Sequence, residues 1–252
     1  TRFATPKFPH KKFDNSANMG LDSSGNSHNL TTSGTIIQTK DTPSNVYATL
    51  NPLALGPNSV LSNVSNTCAM NAAAQFGAYS TLGVNSGKWY METKLAGSSG
   101  YTVGVVRGVA TANDNGNKLG NRADGFSYDD GGIVENNGGT VSGSFASYSS
   151  GDVIGVYADL DNNKLYFSKD GSLQNSGTGL DLTAGTYFFA VGDNNASNSS
   201  TYEVNFGNPV SALSSAVSDG TYGSFEYSTT ITGDGASKTF KALNTKNLAE
   251  YG

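Results

Sequence analysis

From Val46 onward, short apolar runs alternate with clusters of Gly, Pro, Asn and Ser. VYATLNPL, SVLSNVSN, GKWYMETKL and YTVGVV come first, then DGFSYDD, GDVIGVYADL, KLYFSKDG, TYFFAVGD and TYEVNFG. Each has strand length and is bounded by turn residues. Their spacing is that of an antiparallel sandwich or barrel. Strong helix formers never cluster at helical spacing over three turns. VSALSSAV (210–217) is expected to form a single short helix, and FEYSTTITGDGASKTFKALN a final hairpin or a pair of edge segments. The expected fold class is all-β.

The stretch GDVIGVYADLDNNKLYFSKDG, 151–171, is the most legible. Ile154, Val156, Ala158 and Leu160 share one strand face, and Val153, Tyr157 and Asp159 the other. Leu165 and Phe167 alternate with Lys164, Tyr166 and Ser168. Asp161, Asn162 and Asn163 lie between the runs, and Asn and Asp tolerate the positive φ of a tight hairpin. Asp152, Asp159, Asp161 and Asp170 also raise a calcium loop as an alternative. An EF-hand loop starting at Asp159 needs Gly at its sixth position and Glu at its twelfth, and this chain has Lys164 and Asp170 there. The hairpin is the better reading. Trp89, Ile154, Val156, Leu165, Phe167 and Phe206 are the expected core.

The first 43 residues differ in texture, being rich in Ser, Asn, Thr and Gly with few aliphatics. Phe3, Phe8 and Phe13 recur at a spacing that fits neither a strand nor a helix face. With Arg2, Lys7, His10, Lys11 and Lys12 they read as an extended, basic docking arm. It lacks the apolar region of a signal peptide. Thr1 is the kind of small residue that removal of an initiator Met exposes, so the chain is expected to begin near its natural start. The expected organisation is an arm over 1–43, a sandwich over 44–208 and a C-terminal extension over 209–252, packed on the sandwich or on a neighbouring subunit.

The chain has 252 residues, net charge -5 and only 14% charged residues, which disfavours nucleic-acid binding. No apolar run is long enough for a membrane-spanning helix. A single cysteine, Cys68, excludes an intrachain disulfide and reads as a small core residue.

SGKWYMETKL (86–95), the 151–171 hairpin and YEVNFG (202–207), taken together, resemble the SPRY domain. Trp89 and Tyr90 stand for its aromatic pair and Glu92 for its acid. Gly151, Asp152, Ile154, Gly155, Asp159, Leu165, Phe167 and Gly171 match its hairpin, with Asp170 where the family has Asn. The resemblance covers about Val46 to Asn208. It implies a bent antiparallel β-sandwich, jelly-roll or concanavalin-like, that binds partners through its loops and has no catalytic centre. FDNSANMGLDSSGNSHNL (13–30), VYATLNPL (46–53) and TFKALNTKNL (239–248) look like segments flanking SPRY-like modules in virion proteins of tailed phages, of the marine and cyanobacterial type, with the match close at 48–53 and 240–248.

Enzyme readings are weaker. The two histidines, His10 and His28, both lie in the irregular N-terminal region, where a Ser-His-Asp arrangement has no rigid support. Asp129, Asp130 and Glu135 around a Gly-rich loop are the candidates for a polysaccharide depolymerase, which needs paired carboxylates. GVVRGVA and GNKLG match no phosphate loop.

The expectation is therefore a non-enzymatic phage structural protein with no cofactor and no metal. It is made in the host cytoplasm and carried on the virion surface as a capsid decoration or short appendage. Its partners are other virion subunits, reached through the N-terminal arm, in a multimeric arrangement. The alternatives are a tail-fibre or receptor-binding component contacting host glycan or protein, and the depolymerase. The loops expected to bind, clustered at one end of the sandwich, are 111–124, 129–140 and 193–201.

Overall fold

The computed structural model describes residues 18–22, 27–34, 39–71, 76–108, 118–194 and 199–252. The chain divides into two units, Thr1–Thr39 and Lys40–Gly252. In the first, Leu30 N donates to Gly20 O at 2.8 Å, and Asp22 N donates to Asn29 Oδ1 at 2.9 Å. Residues 1–17 of the expected arm, which include Phe3, Phe8 and Phe13, lie outside the described residues.

The second unit is all-β. Its strands are β1 (Ser59–Ser62), β2 (Thr67–Met70), β3 (Phe76–Tyr79), β4 (Lys88–Gly97), β5 (Tyr101–Arg107), β6 (Gly125–Asp129), β7 (Val134–Asn136), β8 (Gly139–Val141) and β9 (Val153–Asp159). Then follow β10 (Lys164–Lys169), β11 (Ser172–Leu173), β12 (Leu180–Asp181), β13 (Tyr187–Asp193), β14 (Ser200–Asn205), β15 (Thr230–Gly233), β16 (Ala236–Thr239) and β17 (Lys241–Ala242). One helix, α1 (Thr245–Tyr251), follows, with Asn244 as N-cap accepting from Asn247 N.

One sheet has the order β1-β2-β14-β4-β9-β10-β11, with β12 also on β10 and β17 on β4. The other large sheet runs β3-β13-β5-β6-β7-β8, and β15 pairs with β16 in a separate hairpin. Both large sheets are antiparallel except at β17, which pairs parallel with Trp89 and Tyr90. The sheets bury a common core containing all six expected residues, Trp89, Ile154, Val156, Leu165, Phe167 and Phe206. Tyr202 reaches through it, its hydroxyl accepting from Thr102 N at 2.9 Å and donating to Gly192 O.

The first sheet is buried on its outer face as well. Tyr90, Tyr157 and Tyr166 stand directly opposite one another on β4, β9 and β10. Phe225, Ile231 and Phe240 of the C-terminal segment cover this row. The Tyr90 ring lies 4.5 Å from Tyr157 and 4.8 Å from Phe225, and Tyr157 lies 5.1 Å from Phe240. β9 is therefore buried at every position. Polar groups pin this third layer: the Tyr157 hydroxyl donates to Ser228 O at 3.1 Å and the Tyr166 hydroxyl to Asp234 Oδ2 at 2.6 Å.

Several local expectations are corrected. VYATLNPL forms no strand; only Tyr47 and Leu50 make isolated bridges, to Asn244 and Ser80. In SVLSNVSN the strand ends at Ser62, because Asn63, Val64 and Ser65 all turn left-handed. Residues 210–217 are irregular rather than helical, since the Glu226 carboxylate accepts from Ser214 N and Ser215 N at 2.8 and 2.9 Å and fixes them in another conformation. The 129–140 loop is a four-residue turn followed by the β7–β8 hairpin, with Asn137 and Gly138 at φ +52° and +71°. Those are the signs that a two-residue turn of the inverted type requires.

Candidate functional site

The hairpin that looked most like a metal loop uses its carboxylates for folding. Asp152 accepts from Ser149 N at 2.8 Å and faces Lys169 at 3.1 Å. Asp170 accepts from Val153 N at 2.9 Å; its φ of +47° beside Gly171 at +76° is the two-residue turn joining β10 to β11. Asp159 is fully buried between Lys88 and Lys238, at 3.4 and 3.3 Å, and accepts from Asn162. Asp161 accepts from Gly87 N at 2.7 Å, and the Lys88 ammonium holds its carboxyl below the usual range. Two ammonium groups at Asp159 repel a cation. In the β9–β10 turn only Asn163, at +53°, has the positive φ expected of both asparagines; Asn162 instead donates to Asp159.

The motif residues have similar physical reasons. A side chain at Gly155 would lie 2.4 Å from Ser168 Oγ and 2.9 Å from the Tyr90 hydroxyl. One at Gly171 would strike the Tyr227 ring at 2.6 Å. Both glycines make room on the outer side of the first sheet, Gly155 for Tyr90 and Gly171 for Tyr227 of the C-terminal segment.

The enzyme candidates are not assembled into a centre. Cys68 is buried in β2, and burial pushes its thiol up to about 12, the opposite of an activated nucleophile. His28 contributes its backbone N–H to Asp22 at 3.1 Å, and His10 lies outside the described residues. Asp129 accepts from Gly131 N and Ile133 N at 3.0 and 2.9 Å, closing its turn, and burial raises its carboxyl. Asp130 accepts from Gly100 N at 2.7 Å and from Asn194 at 3.2 Å. Glu135 lies opposite Ser127, inside the sheet register rather than beside Asp129. Among the described residues, no three His, Cys, Asp or Glu side chains converge as metal ligands.

The three loops expected to cluster fall at two ends. Asp193 pairs with Tyr101 and Asp129 with Thr102, so the 129–133 turn and the 193–200 connection share one end. Gly125 pairs with Val106 and Asn136 with Phe126, which puts 118–124 and the 137–138 turn at the other. There Gly138 N donates to Gly120 O at 3.0 Å. Residues 111–117 and 195–198 lie outside the described residues.

Sequence reasoning named Glu92 only as a motif acid and missed its role. Glu92 is buried on the outer face of β4, where it accepts from Glu226 N at 2.6 Å, Asn205 Nδ2 at 2.8 Å, the Tyr90 hydroxyl at 3.0 Å and Tyr227 N at 3.3 Å. Burial pushes its carboxyl up to about 7, against the pull of those donors. With Lys94, Glu203, Val210 and Leu213 it lines a small surface cleft. Because three of its four bonds tie β4 to the C-terminal layer and to Asn205 of the neighbouring strand, Glu92 acts as a bolt between layers. Glu92 and Asn205 were each visible in the motifs, but nothing local to either said that they bond to each other.

Residues 88–209, just under half of the chain, match the family model described as the SPRY domain. No curated protein matches the chain in sequence. Similar solved structures include the SPRY domain of human HERC1, at 16% identity and TM-score 0.49, over 62% of this chain and 96% of that one. They also include the TRIM65 PSpry domain, at 13% and 0.47, over 62% and 89%. Stonustoxin matches at 16% and 0.45 over 63% of this chain but 27% of its own. SPRY domains are protein-interaction modules.

Proposed function

We propose that this protein is a non-enzymatic binding module of a tailed-phage virion. It is displayed on the particle as a capsid decoration or short appendage and attached to neighbouring subunits through its N-terminal arm. The observation that carries this reading is the pairing of its two flanks. The segments resembling those around SPRY-like modules in virion proteins, ATLNPL and FKALNTKNL, are hydrogen-bonded to each other. Ala48 N donates to Leu243 O at 2.9 Å, Tyr47 bridges Asn244, and Thr245 N donates to Val46 O at 2.9 Å. They behave as one frame around the domain, as expected if the whole assembly is a reusable particle module. The engagement of Asp129 and Asp130 with backbone amides supports a role without catalysis.

Cryo-EM of particles, compared with particles carrying a protein that lacks residues 1–20, tests this. Density on capsomer axes that disappears with the arm is the expected result. Density at the tail would favour the receptor-contact role instead, and absence from purified particles would overturn the virion assignment. Release of oligosaccharide from host capsule by the purified protein would overturn the non-enzymatic part.

A further inference from the structure

The Lys40–Gly252 unit carries 18 acidic against 11 basic side chains, and most of its well-placed cations are neutralised. Lys88, Arg122, Lys164, Lys169 and Lys238 each lie within 4 Å of a carboxylate. Lys40, Lys241 and Lys246 have other partners. Lys40 donates to Ser224 Oγ at 2.6 Å and Lys241 to Thr221 Oγ1 at 2.8 Å. Lys241 also lies 4.5 Å above the Tyr251 ring, and Lys246 lies 3.9 Å above that of Tyr222. All three cations thus gather around one loop, residues 221–224.

That loop holds an unfavourable shape. Gly220, Thr221 and Tyr222 have φ of +66°, +52° and +63°, although β-branched and bulky residues resist this region. Buried Asn247 pins it, donating to Thr221 O and Ala242 O at 2.8 Å each, and the Tyr47 hydroxyl donates to Tyr222 O. The result is an outward-facing Tyr222, 48% exposed, with Tyr251 at 38% beside the same lysine cluster. A tyrosine needed only for packing does not require this conformation. Two accessible aromatic rings, three cations without carboxylate partners, and hydroxyls on Thr221 and Ser224 form a surface that an anion would complete.

We propose that this surface binds a carboxylated saccharide, of the uronic-acid type. The carboxylates pair with Lys241 and Lys246, sugar C–H groups pack on the exposed parts of the tyrosine rings, and sugar hydroxyls bond to the tyrosine, threonine and serine hydroxyls. A neutral sugar leaves the ammonium groups unused. An acidic peptide uses them but has no need of two rings among hydroxyls. The inference does not depend on where the protein is displayed.

The test is an NMR titration of the full chain, isotopically labelled, with tri-galacturonate at low salt. The expected result is saturable shifts confined to residues 220–224 and 241–251, with Kd on the order of 1 mM, typical of a few exposed contacts. Lys246→Ala should weaken binding about five-fold, and Tyr222→Ala similarly, while Tyr222→Phe retains most of it. Unchanged melting of Lys246→Ala keeps that variant interpretable. The proposal is overturned if no saturable shift occurs, if maltotriose binds equally well, or if hexaglutamate binds there while tri-galacturonate does not.

Discussion

Removing the Glu92 carboxylate should loosen the C-terminal layer while leaving the two-sheet core in place. In Glu92→Ala, the buried Tyr90 hydroxyl and Asn205 amide each lose an acceptor, as do the backbone amides of Glu226 and Tyr227. Asn205 keeps a second bond, to Ser224 O at 2.9 Å, and the two amides lie close enough to the surface to recover water. Counting one or two fully unsatisfied buried groups at about 1–3 kcal/mol each gives a loss of roughly 3 kcal/mol. Urea denaturation measures the total, and hydrogen exchange at the amides of Glu226 and Tyr227 locates it. The carboxyl also sets a pH dependence. Its folded value of about 7 exceeds its ordinary 4.5, so the proton it takes up stabilises the fold fully below that lower value. This contribution is lost as pH rises through the folded value, amounting to about 3 kcal/mol between roughly pH 5 and pH 8. Glu92→Gln cannot titrate and should lack that slope. A loss below about 1 kcal/mol in Glu92→Ala, with the two amides still protected, would refute the bolt.

Phe167→Ala should cost about 3–5 kcal/mol in chemical denaturation, because it empties a site packed against Tyr128 and Phe145. Asn163→Val should destabilise the β9–β10 turn by about 1–2 kcal/mol, since a β-branched residue resists its positive φ. Asn162→Ala should act through lost bonds to Asp159, and its effect should shrink in a Lys88→Ala, Lys238→Ala background if that carboxylate is the shared anchor. EDTA should leave the melting temperature unchanged; a fall that calcium restores would return Asp159 and Asp161 to the metal reading.

The legible part of the fold was the part written in short-range patterns. The β9–β10 hairpin announces itself by alternation on both sides of Asp161–Asn163, and the core residues follow from its inner face. The outer face did not announce itself. Tyr90, Tyr157 and Tyr166 look like ordinary half-buried positions, and Phe225, Ile231 and Phe240, far along the chain, turn them into a second core. β2, with the four residues TCAM, shows no alternation because both its faces are largely covered. α1 is short and depends on the Asn244 cap and on Asn247, a pair whose meaning lies in the loop it holds. The β7–β8 hairpin was available in Asn137-Gly138, a strong turn signal read instead as part of a loop. The loop cluster failed for a topological reason: strand register decides which end a connection occupies, and register is invisible until the strand order is known.

The clamp between residues 46–48 and 243–245 also has a mechanical meaning. Paired strand segments stand about 5 Å apart, so the main chain enters and leaves the domain at nearly the same point. The domain is in effect a ring closed by a few hydrogen bonds. It can be inserted into a surface loop of an unrelated protein without stretching its host, and a new peptide bond across the clamp would permit new termini at the exposed 137–138 turn. Tension applied through both flanks would open those few bonds one after another. The three packed layers would bear load only after the clamp had parted.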